Sequence, residues 1–105
     1  MILNFSYNWN NKLDCKAFTT LRLTDRYKIG EPIEVYLNNK LHKKAEIVGK
    51  KAIKFDKINN YIAYLDTGYD ADECRKILER MYKNKGVNWD KQIIYFYLLK
   101  ERNSK

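Results

Sequence analysis

The chain has 105 residues, 45% apolar and 32% charged, and its 21 Lys and Arg against 13 Asp and Glu give a net charge of +8. That is the length of one domain, residues 1–105, with material for a single modest core; it is too apolar for a disordered chain. The longest apolar run, IIYFYLL, is strand-sized and excludes a membrane-spanning helix, while the positive field draws polyanions, nucleic acid foremost.

Residues 2–9 alternate strictly. Leu3, Phe5, Tyr7 and Trp9 fall on one face and Asn4, Ser6 and Asn8 on the other, the period of a half-buried strand. The opening MILNFSYNWNN lacks the basic start and cleavage site of a signal peptide. Cys15 and Cys74 have no paired spacing, so they read as reduced thiols and predict a cytoplasmic protein.

NWNNKLD supplies turn residues, and a second strand follows from Ala17. Thr19, Leu21 and Leu23 share one face of it; Lys16, Phe18, Thr20 and Arg22 share the other. After Gly30 and Pro32, Ile33, Val35 and Leu37 point inward. Asn38-Asn39 predicts a hairpin turn, because asparagine tolerates positive φ. LHKKAEIVGKKAIKF is the returning strand, with Gly49 marking a bulge.

The spacing of Asp70 and Glu73 is that of a capping box, and Cys74, Ile77, Leu78, Met81 and Tyr82 recur at helical spacing up to a stop at Gly86. IIYFYLL, apolar on both faces, predicts a central strand covered on each side. The expected fold is α+β: a small, mostly antiparallel β-barrel with one main helix packed against it.

The run K-A-F-T-T-L-R from Lys16 to Arg22, then Y-K-I-G-E, a hairpin, a short helix ending in Tyr and IIYFYLL, resembles the ASCH domain, a β-barrel family with a PUA-like fold. The likeness spans about Leu13 to Lys100 and implies RNA or a modified nucleoside as partner, with no cofactor. Within that family the pattern is similar to small N4-acetylcytidine amidohydrolases. In these a lysine, a threonine three positions on and a downstream carboxylate cleave an amide on a modified pyrimidine. The resemblance implies Lys16 as the lysine and Arg22 as the arginine. The chain has one residue more between them than that pattern, so the threonine is Thr19 counted from Lys16 or Thr20 counted back from Arg22. Strand alternation favours Thr20, which shares a face with Lys16 and Arg22. Asp66 stands about where the acid would fall; its alternative is a loop-stabilising residue before Gly68.

Other candidates follow from residue type. Lys44, Lys50 and Lys54 would form a basic stripe for phosphates if they face one way, or else guard a strand edge. Trp9 and Tyr27, close in sequence to the Lys16 strand, are candidates to stack on a base in the cleft. Glu73 is a cap. His42 has no second ligand near it, and no metal site is expected. Two functions stay open: a module binding RNA or a modified nucleoside through a Lys/Thr/Arg cleft, and a hydrolase acting on an acylated nucleoside or on RNA.

Overall fold

Five strands form one curled mixed sheet, a half-barrel against which two helices pack, in a computed structural model that describes residues 1–102. The last three residues of the expected 1–105 domain lie outside the described residues. The strands are β1 (Ile2–Phe5), β2 (Ala17–Arg22), β3 (Pro32–Leu37), β4 (Lys40–Lys54) and β5 (Ile93–Glu101); the helices are α1 (Asn60–Thr67) and α2 (Ala71–Met81). The order across the sheet is β1-β3-β4-β5-β2, with β1 parallel to β3 and the other neighbours antiparallel. No helix among the described residues is long and apolar enough to cross a membrane.

The curl encloses one core: Leu3, Phe5, Leu13, Phe18, Ile33, Val35, Ile47, Tyr97 and Leu99 among others. A second core, with Leu21, Phe55, Ile62, Cys74, Leu78 and Ile94, lies between the sheet and the helices. Alternation along β5 serves both, since Tyr97 and Leu99 enter the curl while Ile94 meets the helices. Cover on both faces ends before Leu98, which is 40% exposed.

Several local expectations hold. Asn38 and Asn39 both have positive φ (52° and 67°) at the β3–β4 turn. The register against β5 shifts between Ile47 and Gly49, making Val48 the extra residue of a bulge. The Asp70 side chain accepts from the Glu73 amide at 2.9 Å and starts α2. The helix ends sooner than the expected stop at Gly86, at Met81 with Tyr82 as its cap, and Gly86 (φ 65°) instead closes the 3₁₀ turn that follows.

Two expectations need correction. The first strand stops at Phe5 and Trp9–Asp14 is a 3₁₀ turn, so Tyr7 and Trp9 lie outside the strand, ring against ring. There are two helices, not one: Asn59 caps α1 by accepting from the Ile62 amide at 2.9 Å, and Gly68 ends it in the left-handed region.

β1 and β2 are the two free edges of the curled sheet. The carbonyls of Met1 and Phe5 accept from β3 and the residue just after it, while those of Ile2 and Asn4 face the opposite way. Side chains satisfy these instead: the Tyr27 hydroxyl donates to Ile2 and Arg22 Nη2 donates to Asn4, at 3.0 and 2.9 Å. The seam between the edges is therefore laced by side chains rather than by a ladder, and it leaves room for a cleft.

Candidate functional site

The cleft opens at this seam. β1 and the residues after it contribute Asn4, Phe5, Ser6 and Tyr7; β2 contributes Thr20, Leu21 and Arg22. Trp9 and Lys12 come from the 3₁₀ turn, Asp66 and Thr67 from α1, and Ile77, Leu78 and Met81 from α2. Its free volume is about 80 Å³, well short of the roughly 300 Å³ at the low end of small-molecule pockets. Such a space takes the edge of a base or an acyl group, with the rest of the ligand lying over the rim.

At its floor lies an ion pair that local sequence gave no reason to expect. Asn8 Oδ1 accepts from the Leu13 amide at 2.9 Å, which closes the turn, and Leu13 anchors it in the curl core. Lys12 is thereby carried under α1 and is 5% exposed. Its Nζ donates to Asp66 Oδ1 at 2.8 Å, and the Thr19 hydroxyl donates to the same oxygen at 2.9 Å. Burial pushes the Lys12 amine below its ordinary range, and Arg22 adds to this, while Asp66 opposes both.

Phe5 brings a second cation alongside. Lys12 Nζ and Arg22 Cζ lie 5.3 and 4.8 Å from its ring centroid. Arg22 Nε donates to the Thr20 hydroxyl at 2.9 Å, and with Nη2 on Asn4 the planar fork is held still. The rest of that fork is available to a ligand. Two cations against one carboxylate leave the cleft one positive charge in excess, which suits a polar or anionic ligand.

The rim is aromatic. Trp9 lies 4.6 Å from Tyr7 and 6.3 Å from Tyr69, centroid to centroid, and both tyrosines are at least half exposed. Exposed rings at the mouth of a cleft with cations and a carboxylate in its lining are what base stacking uses.

Of the residues singled out from sequence, Thr20, Arg22, Asp66 and Trp9 line this cleft. Thr19 is on the opposite face of β2 from Thr20, as alternation requires, yet it reaches Asp66 from below. Asp66 is not in a loop: it sits in the last turn of α1, 5% exposed. Lys16 is displaced. It precedes β2 where the chain leaves the 3₁₀ turn, its side chain is exposed, and it does not line the cleft. Lys12, four residues earlier, holds the buried position. Tyr27 is also displaced: it packs edge-on against Tyr97 inside the curl at 5.3 Å and lines a different cavity.

The lysine stripe is divided by the bulge. Before it, buried Ala45 and Ile47 face the curl and Lys44 faces away. After it, Lys50 lies opposite Tyr97 and Lys54 opposite Ile93, which sets both on the curl's side. Lys50 is further tied to Asp25 Oδ1 at 2.9 Å, a bond that raises the lysine and lowers the aspartate. His42 pairs with Asp14 at 3.4 Å, and no cluster of metal-binding side chains occurs among the described residues.

No sequence signal marked Lys12. It lies in a run of turn-forming polar residues, and only the packing of α1 over that turn removes it from water. Compared with protein-family models and with curated proteins, the chain matches none.

Proposed function

We propose that this chain is an ASCH-like domain of PUA-like fold that binds RNA or a modified nucleoside in the seam cleft. The observation that carries the reading is the convergence of the Arg22 fork, the Thr20 hydroxyl and the buried Lys12–Asp66 pair beneath the Tyr7–Trp9–Tyr69 rim. A base edge enters the cleft, where Arg22 and Thr20 meet its polar atoms. The flanking part of the ligand lies on the rings. The net charge of +8 adds long-range attraction for a phosphate backbone.

A second reading is favoured by one specific feature, the desolvated amine held against a carboxylate and a hydroxyl. In a hydrolase of the amidohydrolase type the lysine's part passes from Lys16 to Lys12. A water would add to the acyl carbon with Asp66 taking its proton, the free donors of Arg22 would meet the oxyanion, and Asp66 would return the proton to the amine as the C–N bond breaks, leaving acetate and the amine.

Incubating the protein with N4-acetylcytidine, and separately with a short single-stranded RNA, tests both. Saturable, salt-sensitive binding without product supports the binding module. Release of acetate or cleaved RNA that Lys12→Met abolishes in a folded variant establishes the hydrolase. Neither binding nor turnover removes both readings.

A further inference from the structure

Arg22 has a second side. Beyond it lies a larger cavity of about 280 Å³, lined by Arg22, Leu23, Thr24, Arg26, Tyr27, Tyr82 and Lys85. Three of these are cations and none is an acid. Arg26 and Lys85 make no ion pair among the described residues, and Arg22 spends its bonds on a hydroxyl and a carbonyl. The acid nearest in sequence, Asp25, is taken up by Lys50.

Three like charges around one concavity repel each other, and of the three only the Arg22 side chain has a hydrogen-bond partner among the described residues. Arg26 and Lys85 are exposed and outside both cores. Thr24 and Tyr82, both hydroxyl-bearing, complete the lining beside Leu23 and Tyr27. Guanidinium forks, an ammonium and hydroxyls around a space with no carboxylate form a receptor for a tetrahedral oxyanion.

We propose that this cavity binds a phosphate group of the ligand whose base occupies the seam cleft, with Arg22 as the shared wall between the two. The inference rests on the cleft reading for the base, and adds that the ligand is phosphorylated: a nucleotide or a strand, rather than a free nucleoside. The cleft alone is too small for a whole nucleoside, and Arg22 lines both spaces, so a ligand seated in the cleft against Arg22 has the cavity as its neighbour.

The test compares inorganic phosphate, cytidine, cytidine 5′-monophosphate and a six-nucleotide single-stranded RNA, followed by amide resonances and Trp fluorescence in the wild type and in Arg26→Ala/Lys85→Ala. Phosphate alone is expected to shift resonances of Thr24, Arg26 and Lys85. The monophosphate should bind about tenfold more tightly than cytidine, one decade being what a single well-placed charged contact supplies. The double variant should lose that margin while binding cytidine unchanged, and its log-affinity for the RNA should fall less steeply with log salt by roughly 1 to 2. A strand that outbinds the monophosphate identifies the diester backbone as the phosphate source; equal affinity identifies a terminal phosphomonoester.

Equal affinity for cytidine and its monophosphate, or a double variant that binds the RNA as well as the wild type does, would overturn the proposal. If the nucleoside leaves every cleft resonance unmoved while phosphate still shifts Arg26 and Lys85, the cleft reading fails and the phosphate site stands alone.

Discussion

The Lys12–Asp66 pair sets the cost of change at the single-residue scale. Both side chains are almost dry, at 6% and 7% exposure, so removing one leaves the other charged and unsolvated. Lys12→Met and Asp66→Asn should each destabilise by about 3 to 5 kcal/mol, and the double variant by clearly less than their sum, as read from urea midpoints. Additive losses would mean the two charges do not depend on each other. The cysteines give an independent check. Cys74 is buried and its thiol is pushed up to about 11, whereas Cys15 is exposed. A thiol reagent should label Cys15 alone until the protein unfolds. Because the folded value of Cys74 lies above the unfolded one of 9.0, its contribution is intact below about pH 9 and is lost as the pH climbs through 11. Lys12, lowered by burial, acts oppositely over the window just below 10.5. Comparison with Cys74→Ala isolates the thiol: the variant's midpoint should fall less between about pH 8 and pH 10.5.

At the scale of elements, α1 decides where the acid sits. Asn59→Ala removes its cap and should cost about 1 kcal/mol. By loosening the helix that carries Asp66 it should also weaken ligand binding, and unchanged affinity would show that α1 is not what positions the cleft. The sequence concealed this helix for a physical reason. Ile62 and Ala63 turn inward, but Tyr61, Tyr64 and Leu65 on the solvent side are apolar too, at 76%, 53% and 49% exposure. Without a polar face, helical periodicity does not stand out. The strands were more legible, because Phe18, Thr20 and Arg22 against Thr19 and Leu21 show in the pattern the same division of faces that places Phe18 in the curl core and Leu21 in the helix-side core. The bulge was visible in Gly49, yet its consequence for Lys44 against Lys50 and Lys54 was not, since one extra residue exchanges every later side chain between faces.

For the whole molecule, the curl of the sheet creates the site by leaving its two edges facing each other. Asp66 lies 54 residues from Lys12 and 47 from Thr19, and it meets them only when α1 closes over the 3₁₀ turn. A burial that depends on tertiary packing cannot be seen in a local run of polar residues, which is why Lys16, with its favourable strand phase, looked like the site lysine and Lys12 did not. The net charge of +8 belongs to this scale as well. It should make association with RNA steeply salt-dependent while leaving selectivity to the cleft, so charge-neutralising substitutions at Lys44 and Lys51 should slow association and leave the pattern of preferred ligands unchanged. The most direct test of the central claim is a backbone amide map of the protein titrated with the six-nucleotide RNA. Shifts concentrated at Asn4, Tyr7, Trp9, Thr20, Arg22 and Asp66 are the result this account predicts. Shifts confined to the outer face of β4 around Lys44, with the seam silent, would contradict it.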